Sequence, residues 1–126
     1  MVERIIQRCI DKGFFLQDRP EGEVYSCQQK PKVIAVNGTV EYERGFHMRP
    51  IARFISKITE FGIDKAYVVF PDERSYGHSR SIISLTALIA RQGDLLTIVS
   101  NHQTRPEQLI ELYNIVTGKD YQEGSQ

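Results

Sequence analysis

From residue 39 to 118, alternating apolar runs and stripes of 3.6-residue period follow one another as β-α-β-β-α-β-α. Few architectures accept that order. In the first helix Ile51, Phe54, Ile55, Ile58 and Phe61 make one apolar stripe, which Gly62 closes. Before it, Val33-Ile34-Ala35-Val36 and Thr39-Val40-Glu41-Tyr42-Glu43 flank Asn37-Gly38, a pair that predicts a two-residue hairpin. Val40 and Tyr42 then share one face of the second strand. Lys65 to Phe70 reads as a strand, Ser75 to Arg80 as a short polar strand, and Leu95 to Ser100 as a buried one. Ile82, Leu85, Leu88 and Ile89 predict a short helix that ends near Gly93. For the last helix, Thr104-Arg105-Pro106-Glu107 predicts a capping box with an early proline. Leu109, Leu112, Tyr113 and Val116 form its core face, and Gly118 its cap. The order predicts an α+β domain with its helices on one face of an antiparallel sheet.

The N-terminal stretch is of a different kind. Val2, Ile5, Ile6, Cys9 and Ile10 predict a short amphipathic helix stopped by Gly13. Residues 18–32 carry Pro20, Gly22 and Pro31 without periodicity and read as a linker. The chain thus divides into an extension at 1–38 (short helix, linker and possible extra strand), a main domain at 39–118 and a polar tail at 119–126.

Composition removes several function classes. The 126 residues suit one core, and 16 Lys plus Arg balance 16 Asp plus Glu. Zero net charge lacks the basic footprint of a nucleic-acid binder. The apolar runs are far too short to span a membrane. Cys9 and Cys27 make no metal or redox spacing, and Asn37-Gly38-Thr39 is a glycosylation sequon without any sign of secretion. The expectation is a cytoplasmic protein without metal, cofactor, nucleic acid or membrane as partner.

Chemistry gathers at one junction. His47 lies between a strand end and a helix start, and Pro50 fits the first helical turn, where its missing N–H costs nothing. A helix start presents unpaired N–H groups and positive charge, so it holds anions such as a phosphoryl group. Arg49 supplies a fork that matches phosphate oxygens. The alternative for His47 is a capping or solvated loop residue. Arg49, Arg53 and Lys57 recur at i, i+4 and i+8 and form a basic stripe beginning beside His47, with no acid between residues 44 and 58. An acidic protein partner fits that stripe. Phe46, Met48 and Ile82 add an apolar anchor to the docking surface. His78 and His102 lie in polar loop-like contexts and recommend no site.

Gly45-Phe46-His47-Met48-Arg49-Pro50 resembles the Gly-Leu-His-Ala-Arg-Pro string of the histidine-containing phosphocarrier (HPr) family of the bacterial phosphotransferase system. Arg80-Ser81-Ile82-Ile83-Ser84-Leu85 resembles that family's Lys-Ser-Ile-Met-Gly-Leu segment, and Gln92-Gly93-Asp94 its turn before the fourth strand. The chain departs from the pattern at Met48, Ile51, Ser84, Thr86 and Ile89.

The resemblance implies an open-faced β-sandwich, four antiparallel strands covered by three helices, here with an N-terminal helical extension. It implies that enzyme I, charged by phosphoenolpyruvate, phosphorylates His47 on Nδ1, with Arg49 stabilising the phosphate. The group then passes to a sugar-specific or regulatory IIA-type domain. Ser81 matches the serine modified by the HPr kinase/phosphorylase, beside a docking surface of Ile82, Ile83 and Leu85. Such a chain is a phosphocarrier rather than a self-contained enzyme. The alternative function is a regulatory protein-binding module of the same fold, acting through Ser81 or the N-terminal arm.

Overall fold

A computed structural model describes residues 20–27, 33–63, 66–70, 75–78, 85, 90–101 and 104–119. Five strands and two helices are defined there: β1 Tyr25–Cys27, β2 Val33–Thr39, α1 Met48–Phe61, β3 Ala66–Phe70, β4 Ser75–His78, β5 Leu95–Asn101 and α2 Pro106–Thr117. The strands make one sheet in the order β1-β2-β5-β3-β4, every pairing antiparallel. One face presents Val36, Ala66, Val68, Leu96 and Ile98 to α1 and α2, which contribute Ile51, Phe54, Ile58, Leu109, Leu112 and Val116 to the same core. Leu85 is helical and fully buried; the rest of the helix expected after Ser81 lies outside the described residues, as does the helix expected at 2–10. No helix among the described residues is long and apolar enough to cross a membrane.

The expected hairpin at Asn37-Gly38 does not form. β2 runs straight through both residues, with Asn37 opposite Thr97 and Gly38 opposite Leu96. A type I′ turn needs positive φ at both central positions, and Gly38 is not in that region. Tertiary contacts account for the pair instead. The buried Asn37 Oδ1 accepts hydrogen bonds from the Tyr25 hydroxyl at 2.9 Å and from Thr97 Oγ1 at 2.8 Å. Gly38 is flush against α2: a Cβ there would lie 2.5 Å from the Thr117 methyl and 2.6 Å from the Tyr113 ring.

The strand expected at 39–43 is likewise displaced. Val40 and Tyr42 do enter the core together, at 1% and 2% exposure, but outside any strand. The Val40 N–H donates to the Asp94 carbonyl, and the Glu41 N–H to the Thr117 carbonyl. This segment therefore crosses from the sheet to α2 and delivers the chain to α1.

Three further expectations need correction. The stretch at 18–32 is not all linker: Tyr25–Cys27 pairs with β2 and adds an edge strand to the four antiparallel strands β2-β5-β3-β4. Three residues are too few for a periodic signal, and their partner register fixes them. The face opposite the helices is not open at its centre: Tyr25, Val33, Ala35, Tyr67, Val69 and Val99 are all buried. In α2 the N-cap is Arg105, one residue later than Thr104, and its N–H donates to Gln108 Oε1 at 3.1 Å. Thr104 is buried and bonds through its hydroxyl to Ser100 at 2.6 Å. α1 keeps its expected stripe, with Ile51, Phe54 and Ile58 buried and Ile55 and Phe61 packed at the margin. Gly62, at φ 68°, caps it.

Candidate functional site

A short turn carries the chain from the core crossing into α1. The Gly45 N–H donates to the Tyr42 carbonyl at 2.9 Å, closing the turn. Gly45 has φ 76°, and a Cβ on it would stand only 2.1 Å from the Ala90 carbonyl oxygen. Only glycine fits a left-handed residue pressed that closely on another backbone. The same Ala90 carbonyl accepts the Phe46 N–H at 2.9 Å. The turn is thus stitched to the segment that precedes β5, and His47 is delivered from a fixed base.

His47 is the N-cap residue of α1, in extended conformation, and its carbonyl accepts the Ile51 N–H at 2.9 Å. Its side chain makes no capping hydrogen bond, so the imidazole is not spent on the helix. The ring is half-buried and its Nδ1 lies 2.8 Å from the Gly45 carbonyl oxygen. A carbonyl can only accept, so this contact is a hydrogen bond when Nδ1 carries the proton, which leaves the Nε2 lone pair bare. On its other flank the ring meets Tyr42 edge to face, centroids 6.0 Å apart and planes at 90°. Met48 and Arg49 are exposed in the first turn beside it, and no acidic residue lies in that turn. Pro50 is buried there, as its missing N–H allows.

The basic stripe keeps its geometry but not its uniformity. Arg53 donates from Nη1 to the Tyr42 hydroxyl at 3.4 Å. Lys57 is paired with Glu60 at 2.8 Å, and its ammonium lies 5.4 Å from the Phe61 ring centroid. The Glu60 hydrogen bond pushes the Lys57 pKa up, so its charge is retained but already answered. A groove between α1 and α2, lined by Arg53, Lys57, Glu60 and Glu111 among others, has mixed charge and does not include His47.

Two residues expected on a docking surface are placed elsewhere. Phe46 is 4% exposed and packs edge to face on Phe54, so it is core. Leu85 is fully buried and also core. Both belong to the apolar cluster that includes Ile51, Phe54 and Ile58 of α1. Met48, at 54% exposure, is the large hydrophobic side chain that stands out among the described residues. Ser81, Ile82 and Ile83 lie outside the described residues, as does His102. His78 lies in β4, opposite Tyr67 in the register.

Sequence reasoning missed Tyr42 as a neighbour of His47. Its alternation with Val40 marks it as buried, but nothing local shows that its hydroxyl reaches the Ile115 carbonyl 73 residues away. The glycine before Phe46 was the one available signal for the close approach to Ala90.

Residues 35–117 match the family model described as the PTS HPr component phosphorylation site. A solved mycoplasma structure, a histidine-containing phosphocarrier protein, superposes with a TM-score of 0.55 at 16% identity, covering 71% of this chain and 99% of its own. That likeness shows the fold. No curated protein sequence matches the chain.

Proposed function

Because this chain belongs to the PTS HPr family, with its phosphocarrier role in the phosphotransferase system, we propose that His47 is the residue that carries the phosphoryl group. Enzyme I, charged from phosphoenolpyruvate, is the donor, and a sugar-specific or regulatory IIA-type domain is the acceptor. The observation behind this reading is the imidazole at the start of α1, unspent in capping, within a stretch that matches the family's phosphorylation-site model. In the transfer the bond from phosphorus to the donor breaks as the nitrogen–phosphorus bond at His47 forms. The imidazole gives up its proton to the group that leaves. The positive end of α1 then stabilises the phosphate, and no metal or cofactor is needed.

Transfer to Nδ1, the nitrogen the family uses, has a structural requirement here. The Nδ1 proton must move to Nε2 and the contact with the Gly45 carbonyl must open before Nδ1 can attack. The test of the whole reading is direct. Full-length protein incubated with enzyme I and phosphoenolpyruvate gains one acid-labile phosphoryl group by mass spectrometry. Protein that stays unlabelled, with a phosphocarrier control labelled in parallel, rejects the relay and favours the binding-module alternative.

Arg49 is assigned the phosphate clamp. It is exposed, two residues beyond His47, and in the first turn of the same helix. Loss of a charge-assisted hydrogen bond of this type costs about 1.5–3 kcal/mol, so Arg49→Ala slows transfer roughly 10- to 100-fold. Arg49→Lys recovers only part of the rate, because lysine lacks the planar fork. Equal rates for wild type and the alanine variant reject the clamp.

Ser81 is assigned the regulatory role, as the target of an HPr kinase/phosphorylase. Negative charge beside the docking surface opposes an acidic partner. Ser81→Asp therefore weakens enzyme I binding about tenfold through like-charge repulsion. An unchanged dissociation constant in calorimetry argues against regulation at this position.

A further inference from the structure

We propose that Tyr42 is a positioning residue for the phosphoacceptor, holding the plane of the His47 imidazole and tying it to the C-terminal turn of α2. The proposal rests on the reading of His47 as the acceptor and deepens it.

Tyr42 is only 2% exposed and belongs to the apolar core, yet its ring and hydroxyl also reach groups at the site. Its ring meets the imidazole edge to face, centroids 6.0 Å apart. Its hydroxyl donates to the Ile115 carbonyl at 2.5 Å and accepts from Arg53 Nη1 at 3.4 Å. Its backbone carbonyl accepts the Gly45 N–H at 2.9 Å, closing the turn whose Gly45 carbonyl oxygen lies 2.8 Å from His47 Nδ1. Gly118, the cap of α2, lies flat against the phenol, since a Cβ there would be 3.2 Å from the ring carbons.

At rest the imidazole is held by two contacts, and both pass through one residue. Once the Nδ1 contact with the Gly45 carbonyl opens for attack, the Tyr42 ring is the restraint that remains. The Tyr42 ring limits rotation about the histidine side chain, and the Tyr42 backbone fixes the carbonyl that holds Nδ1. The phenol itself cannot drift, because α1 and α2 each hold its hydroxyl. Phosphoryl transfer between two proteins needs the attacking lone pair in line with the bond that breaks. The plane of the ring sets that line, so its fixation appears as rate rather than as binding.

Three full-length proteins test this: wild type, Tyr42→Phe and Tyr42→Leu. In wild type, NMR shows nuclear Overhauser contacts between the Tyr42 and His47 ring protons, and the His47 protons carry a ring-current shift. Tyr42→Phe keeps the aromatic edge and preserves that shift, while Tyr42→Leu removes it. Transfer from enzyme I slows about tenfold or more in Tyr42→Leu with KM for enzyme I unchanged, and at most about threefold in Tyr42→Phe.

Phosphoramidate serves as a control donor that approaches from any direction. Its phosphorus–nitrogen bond breaks, ammonia leaves with the imidazole proton, and the new bond forms at His47. Labelling by phosphoramidate stays within about twofold in both variants, since chemical reactivity is retained while alignment is lost. A residue that merely fills the core would instead leave enzyme I transfer unchanged in every folded variant, and that result overturns the proposal. Should Tyr42→Leu fail to fold, the wild-type ring contact decides, and its absence also overturns the proposal. Wild type that shows the ring contact but takes no phosphoryl group from enzyme I overturns the relay reading alone.

Discussion

His47→Ala abolishes labelling by enzyme I and phosphoenolpyruvate while leaving the fold intact. The loss is complete, because no other described side chain shares the nucleophile's position at the start of α1. Among the described histidines the only other is His78, and it lies in β4, on a different element. The stability change is small by contrast. The His47 side chain caps nothing, and its Nδ1 contact joins residues only two apart, so the variant loses about 1 kcal/mol or less of folding free energy. Circular dichroism and a thermal melt near wild type, with no acid-labile phosphate by mass spectrometry, is the expected pair of results. Undiminished labelling in the variant rejects His47 as the acceptor.

Gly45→Ala has the largest expected effect on stability near the site. Alanine at φ 76° costs about 1–2 kcal/mol in backbone strain. The added Cβ also meets the Ala90 carbonyl oxygen at 2.1 Å, and relieving such a clash against backbone costs roughly another 1–3 kcal/mol. Together they lower the melting temperature by about 10 °C or more. The internal comparison is Gly62→Ala. Gly62 has a similar φ of 68°, but an added methyl there would meet nothing within 4 Å, so it bears the strain without the clash. Thermal denaturation of the two variants separates these contributions, and equal melting temperatures reject the close approach as the reason for glycine at 45. Labelling by enzyme I falls in Gly45→Ala as well, since the turn that aims His47 must shift.

Much of this was legible from residue types and spacing. The stripe of Ile51, Phe54 and Ile58 requires a helix with one buried face, and Gly62 ends it as expected. Strands β3, β4 and β5 fall where alternation and apolar runs place them. The string from Gly45 to Pro50 points to a candidate site because its members suit a nucleophile, a clamp and a helix start, all within six positions. Phe46 illustrates the limit of such reading. Its place beside His47 suggests a surface role, yet the core claims it.

Asn37-Gly38 shows the limit more clearly. A hairpin and a continuous strand are both compatible with those two residues taken locally. The choice falls to groups far away in the chain, because Tyr25 and Thr97 satisfy the Asn37 amide oxygen and α2 occupies the space beside Gly38. Burying an amide without partners is costly, so the arrangement that supplies two donors wins over local turn preference.

By itself the sequence determined the helix that begins at His47, the identity of the nucleophile candidate and the absence of net charge, since these depend on residues within a few positions of each other or on counting. Tertiary structure alone decided the continuous path of β2, the added edge strand β1 and the burial of Phe46 and Leu85. It also decided which charges of the basic stripe are already paired, and it set Tyr42 against His47 and Ile115. Those features arise from contacts between residues distant in sequence, where packing and hydrogen-bond satisfaction outweigh every local preference.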